Sequence, residues 1–374
     1  VKGFEVLQAD SQCGARRGVL QTAHGPVQTP AFMPIGTVGA VKGILPEQVK
    51  ALGSEMILAN TYHFVIRPGV DVVEKVGGLH RFMAWDGPIL TDSGGYQVFS
   101  LASLTRIDDQ GVEFASHVDG QSIYLDAETA TQIQNRLGAD VIMCFDQCTP
   151  FPAQKADLDT AVDRTIRWAA RCRQAHSRPD QMLFGIVQGG TDMSLRTTCA
   201  VALREIDFDG YAIGGLSVGE GHDLMIQTVG HTTPLLPADK PRYLMGVGMP
   251  ADIIAAVHVG VDMFDCVLPT RNGRNAYAFT AHGPLRLRNS IHTADTGPVE
   301  PGCDCYACRH YTRAAIRHFF NCGEMLGPIL LSMHNIRFYQ RLMAQIRSTI
   351  EQGIFATWAD ERLQQLRSQG DEGQ

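Results

Sequence analysis

Long apolar runs are missing from this 374-residue chain, and none approaches the roughly 20 residues an α-helix needs to cross a bilayer, which excludes a helical membrane protein. The opening residues Val1-Lys2-Gly3-Phe4-Glu5 carry no apolar leader, so the expected location is cytoplasmic, with no membrane partner. An excess of positive charge is also missing. The net charge is −7, which argues against a protein that coats nucleic acid indiscriminately. Neither His-x-His nor His-x-x-x-His occurs, which weighs against a hydrolase or deaminase built on an open metal site. Internal repeats and low-complexity tracts are absent too, apart from a polar tail, 364–374, expected to be frayed.

What is present is 44% hydrophobic residues, enough for one large core, and a single catalytic domain is expected over 1–363. The acidic charge is unevenly spread. Residues 271–317 hold seven arginines against three acids, a local +4 that leaves −11 for the remainder. A basic patch on an acidic body suits a protein that docks a polyanion at one place.

Short apolar runs rich in β-branched residues alternate with amphipathic stretches, among them 127–137, 158–176, 194–206 and 251–259, which is the pattern of β/α units around a parallel sheet. The residue after each run is informative. The run 88–91 delivers Asp92, 141–145 delivers Asp146, 182–187 delivers Gln188, 211–213 delivers Gly214-Gly215, 243–245 delivers Gly246 and 261–264 delivers Asp265. In a β/α barrel such ends converge on one mouth, whereas an open doubly wound sheet gathers its ligands at one switch point, so an α/β fold of the barrel (TIM) type is expected.

Ten cysteines occur, and most stand alone among apolar residues, as reduced thiols do. The exception is Cys303, Cys305 and Cys308, followed later by His334. Three thiolates and one imidazole fill a tetrahedral zinc shell and leave no position for substrate, so one structural zinc is expected.

A carboxylate placed directly after a buried run is partly desolvated, and it then pairs, binds a ligand or takes part in chemistry. Any one of Asp92, Asp146 and Asp265 could cap the following helix, but three at one topological position weaken that explanation. The pairs Gly94-Gly95, Gly189-Gly190 and Gly214-Gly215 let backbone amides approach a flat ligand. An Asp, a Gln amide and a backbone N–H together can read the donor and acceptor edge of a purine, with Tyr96 and Met245 as stacking faces. The run Gly246-Val247-Gly248 before a helix, with Asp265 about twenty residues on, mimics a dinucleotide fingerprint. It comes after several β/α units and leads into an arginine-rich loop, which argues against a nicotinamide site.

Thr91-Asp92-Ser93-Gly94-Gly95-Tyr96-Gln97-Val98-Phe99, the strings 184–189, 210–216 and 243–248, Asp262 to Arg271, the cysteine cluster and His334 together resemble the bacterial queuine tRNA-ribosyltransferase family, the tRNA-guanine transglycosylases, from about Phe4 to Gly353. The resemblance implies an irregular eight-stranded β/α barrel with a zinc-binding insertion near the C-terminus, about 289–340, and a homodimer. It implies exchange of the wobble guanine of certain tRNA anticodons for 7-aminomethyl-7-deazaguanine, a precursor of queuosine. Carried onto this chain, Asp265 is the nucleophile and Asp92 the general acid/base. Ser93, Asp146, Gln188, Gly215 and Leu216 hold the base, Tyr96 and Met245 sandwich it, and Lys42, Arg271 and Arg274 contact RNA. Cys148 and Val218 fit the bacterial pattern. Gln147 departs from it, standing where close bacterial relatives usually carry glutamate, which puts any acid-dependent backbone flip near Leu216 in question and leaves Glu220 as a partial substitute. A subunit that kept the fold and lost activity is the non-enzymatic alternative, and the presence of both Asp92 and Asp265 argues against it.

Overall fold

The computed structural model describes residues 2–97, 105–116 and 118–371; Val98 and Phe99 of the Asp92 string and residues 372–374 lie outside them. Eight parallel strands make the central sheet: β1 (Ala31–Met33), β2 (Ile57–Ala59), β3 (Ile89–Thr91), β4 (Val141–Met143), β5 (Met182–Val187), β6 (Gly210–Ile213), β7 (Arg242–Leu244) and β8 (Met263–Asp265). Each pairs with its neighbour in chain order, and β8 returns to β1 through Met263–Ala31, Phe264–Phe32 and Asp265–Met33. The last seam closes where Leu58 N–H donates to Pro34 O at 3.0 Å and Gly36 N–H donates to Leu58 O at 2.7 Å. The sheet is therefore a closed β/α barrel, as expected.

Alternation of side chains along each strand divides the core in two. Met33, Leu58, Leu90, Met143, Phe184, Ile186, Ala212, Tyr243 and Met263 fill the barrel interior. Their outward neighbours, such as Leu183, Val187, Tyr211 and Ile213, pack under the surrounding helices. Both faces are buried, so these strands read as continuous apolar runs. The interior cluster also takes in Leu20 and Val27 from an antiparallel sheet of Gly3–Ala9, Arg16–Thr22 and Gly25–Thr29 that precedes the barrel.

Helix Ala127–Leu137 has the expected limits: Asp126 caps it by accepting the Thr129 N–H at 2.7 Å, and Gly138, at φ 80°, ends it. Helix Lys155–Ala175 begins three residues before the expected start. Helix Phe355–Asp371 runs through 364–371, the segment read as a frayed tail, and Leu363 and Leu366 pack against the core on its apolar side. Among the described residues no helix is long and apolar enough to cross a membrane.

Candidate active site

The carboxyl ends of the eight strands open on a cavity of about 690 Å³. Asp92, Ser93, Tyr96, Asp146, Gln188, Gly215, Leu216, Met245, Asp265 and Arg271 all line it, so the structure brings together residues up to 179 positions apart that the sequence had singled out separately. Lys42 and Arg274 do not line the cavity; both are exposed, and Arg274 ends the helix Leu268–Arg274 that also carries Arg271.

Asp265 is the last residue of β8 and is 6% exposed. Its Oδ1 accepts the Tyr243 hydroxyl at 2.6 Å and the Gly246 N–H at 2.7 Å. Burial pushes this carboxyl above its ordinary range, and the two donors pull it back. The result is a carboxylate with one oxygen fixed and little surrounding water, which suits a nucleophile.

Asp92 follows β3 and is held by the residues after β2. Asn60 Nδ2 donates to Oδ2 at 2.5 Å, the Thr61 N–H to Oδ1 at 2.8 Å, and the Thr61 hydroxyl to the Asp92 carbonyl at 2.6 Å. Burial pushes Asp92 up to about 6, and the negative charge of Asp265 adds to the rise while Asn60 and Thr61 oppose it. A carboxyl that titrates near neutral pH can both give and take a proton. Asp146 is likewise raised by burial to about 6; Gln188 Nε2 donates to its Oδ2 at 2.6 Å and Ser93 Oγ to its Oδ1 at 3.3 Å.

Gly214 and Gly215 follow β6. Gly215 has φ 66°, and a Cβ there would collide with Oε1 of Gln188, so only glycine lets the amide chain and the backbone lie this close. Beyond Leu216, Glu220 accepts the N–H groups of Ser217 and Val218. Gln147 does not line the cavity. Its Oε1 accepts Nη1 of Arg164 at 2.6 Å, and Arg164 also pairs with Asp109 at 2.9 Å.

Four site residues were not expected from sequence: Asn60, Thr61, Tyr243 and the Gly246 amide as partners of the two acids. Asn60 stands directly after a strand, as Asp92 does, and the same rule would have found it had the short run Ile57–Ala59 been read as a strand.

Away from the cavity, Cys303, Cys305, Cys308 and His334 converge, and the group can hold a metal ion. His334 Nδ1 lies 3.7, 3.7 and 3.3 Å from the three sulfurs. Tetrahedral zinc, with bonds of about 2.3 Å to sulfur and 2.05 Å to nitrogen, would set such separations near 3.6 Å, so the donor set fits. Nε2 of His334 faces Phe279 O at 2.8 Å, which leaves Nδ1 for the metal. A second group, His24, His80 and Asp140, lies at the opposite end of the barrel. Its imidazoles stack with centroids 3.5 Å apart at 18°, so their nitrogens run side by side against the buried carboxylate rather than pointing to one centre.

Residues 10–368 match the family model described as queuine tRNA-ribosyltransferase. Similar curated proteins, each named queuine tRNA-ribosyltransferase, come from Thiobacillus denitrificans, 53% identical over 94% of this chain and 96% of that protein; from Nitrosomonas eutropha, 54% identical over 92% and 96%; and from Pelotomaculum thermopropionicum, 52% identical over 98% and 99%. With the closed barrel, the paired acids at its mouth and the Cys3His cluster already in place, these matches show that the chain belongs to the queuine tRNA-ribosyltransferase family of pentosyl-transferring enzymes.

Proposed function

We propose that this chain exchanges the wobble guanine of certain tRNA anticodons for 7-aminomethyl-7-deazaguanine by two displacements at the ribose. The observation that supports it best is the pairing of two buried acids at one cavity, Asp265 with an oxygen fixed by Tyr243 and Gly246, and Asp92 titrating at about 6. In the first step an Asp265 oxygen bonds to C1′ of the ribose, the C1′–N9 bond breaks, and the electron pair leaves with guanine, which takes a proton from Asp92. In the second step Asp92 accepts the N9 proton of the incoming base, the base nitrogen bonds to C1′, and the Asp265 carboxylate is released. Two inversions retain the sugar configuration, as in retaining glycosidases.

The base itself is read at the cavity floor. The ionised Asp146 carboxylate accepts from the N1–H and the exocyclic amine of the purine, while Gln188 and the Gly215 N–H face its acceptors and Leu216 closes the edge. Ser93 holds the Asp146 carboxyl. Tyr96 and Met245 sandwich the ring, and Arg271, Arg274 and Lys42 contact the RNA. Cys303, Cys305, Cys308 and His334 hold one zinc whose full shell leaves it structural. The enzyme works as a cytoplasmic homodimer.

The test is to incubate folded protein with unmodified tRNA and labelled guanine. Label should enter the RNA, a denaturation-resistant protein–RNA adduct should be trapped, and both should vanish in Asp265→Ala. No incorporation by folded wild-type protein, or an adduct that persists in Asp265→Ala, overturns the proposal.

A further inference from the structure

Arg196 lies in the first turn of helix Met193–Ile206, directly after the loop that follows β5, and is completely buried. Its Nε donates to Gly190 O, Nη1 to Val187 O and Nη2 to Gly214 O, each at 2.8 Å. Among the described residues no carboxylate lies within ion-pair distance of it, and burial pulls its pKa down to about 10. A guanidinium without a counter-ion is costly to keep in a protein interior, and an apolar residue of similar volume would fill the space more cheaply. The three carbonyls have something in common. They belong to the last residue of β5, to the loop that follows it and to the residue directly after β6, the segments that present Gln188 and Gly215 to the cavity.

In a trans peptide the carbonyl and the following N–H point in opposite directions, and the Gly214–Gly215 bond is not among the cis peptides of the described residues. With Gly214 O drawn down to Arg196, the Gly215 N–H is turned the other way, toward the cavity that Gly215 lines. A cation bonded to the carbonyl also polarises the peptide and strengthens that N–H as a donor. We propose that Arg196 is a positioning residue for base selection: bonded to the carbonyls of Val187, Gly190 and Gly214, it presents the Gly215 N–H as an aimed, strengthened donor for the carbonyl at C6 of the bound purine. This rests on the base-exchange reading above.

The test compares guanine with 6-thioguanine, which keeps the N1–H and the amine but offers a weakly accepting sulfur at C6. Dissociation constants of both bases are measured by calorimetry for wild type, Arg196→Lys and Arg196→Met, together with tRNA affinity and thermal unfolding. Wild type should favour guanine. In Arg196→Met that preference should shrink by about tenfold, the size expected for one charge-assisted hydrogen bond, while the affinity for tRNA holds within about threefold. Arg196→Lys keeps the charge but reaches fewer carbonyls, and it should fall between; it carries the comparison alone if Arg196→Met does not fold. A guanine preference that stays unchanged in folded variants, or equal weakening of both bases, overturns the inference. Failure of folded wild type to bind guanine at all would instead strike the base-exchange reading.

Discussion

Tyr243 and Asp265 share a hydrogen bond of 2.6 Å between the phenol hydroxyl and Oδ1, with both side chains buried at the mouth of the barrel. The phenol, raised well above its ordinary range by burial and by the nearby carboxylates, stays protonated and can only donate here. It stabilises the charged form of Asp265 against the desolvation that burial imposes. Tyr243→Phe leaves Gly246 as the remaining partner of Oδ1, so the Asp265 carboxyl should titrate higher. Hydrogen bonds to charged groups contribute about 1.5–3 kcal/mol, which corresponds to a tenfold or greater fall in the rate of covalent adduct formation at low pH. The acid limb of the pH–rate profile should move to higher pH. An unmoved limb would mean that the hydroxyl does not bear on the ionisation of Asp265.

Asp146 carries a stability cost with a definite pH window. Its folded carboxyl titrates at about 6 against an ordinary 3.8, so between those values the folded state binds more protons than the unfolded one. Stability therefore falls as pH rises through that window, and the cost is complete above about pH 6. A shift of roughly two pKa units corresponds to an upper bound of about 3 kcal/mol. Asp146→Asn removes the charge, and Gln188 can turn its amide, whose Oε1 has no partner, to accept from the new side chain. The variant should be more stable than wild type by about 1–3 kcal/mol at pH 8 and show no advantage at pH 4, while losing affinity for the base. Denaturant melts at the two pH values read this directly.

Six of the eight barrel strands, and the three acids Asp92, Asp146 and Asp265 at their ends, were legible in the sequence because a strand buried on both faces is a continuous apolar run with its functional residue directly behind it; Asp252, which also lines the cavity, comes from a helix and was not. β1 and β2 were not legible for a local reason. β1 is bracketed by Pro30 and Pro34, which make its short run look like a turn, and β2 leads into Asn60 rather than into an acid or a glycine pair. Losing β2 hid Asn60 and Thr61. Arg196 was hidden differently, since an arginine on a helix reads as surface, and only the wrap of the barrel puts it beneath the ends of β5 and β6. Residues 364–371 read as a tail because their composition is polar; the helix that reaches them is seated on the core by Phe355 and Ala359, with Leu363 and Leu366 packed beside them.

The metal site should behave as a fastener. His334 sits within the long helix Leu326–Glu351, and the cysteines lie in and before the short helix Tyr306–His310, so one metal ties segments about thirty residues apart in sequence. Cys305→Ala should reduce metal content from one per chain to near zero and lower the melting temperature by about 10 °C or more, as expected when several kcal/mol of folding energy are lost from a domain of this size. Atomic emission and calorimetry check both parts. If protein freed of metal melts where the holoprotein does, the site is not structural.

Gln147 and Glu220 should separate cleanly in their effect on base choice. Glu220 accepts the N–H groups of Ser217 and Val218, immediately beyond Leu216, and so it fixes the direction of peptides that line the cavity. Ser217 itself stands at φ 60°, a conformation that needs such support. Gln147 is turned instead to Arg164 and lies off the cavity lining, so a carboxylate in its place would meet the same guanidinium as an ion pair. Gln147→Glu should therefore change the ratio of kcat/KM for guanine and for 7-aminomethyl-7-deazaguanine by less than about threefold, within the modest energies of partly exposed pairs. Glu220→Gln weakens two charge-assisted hydrogen bonds, and it should move that ratio by about tenfold or more. Base-exchange kinetics of the two single variants and the double variant provide the check. A large effect of Gln147→Glu that disappears when Glu220 is already replaced would show that the two residues act on the same peptides, contrary to the separation that the Arg164 contact implies.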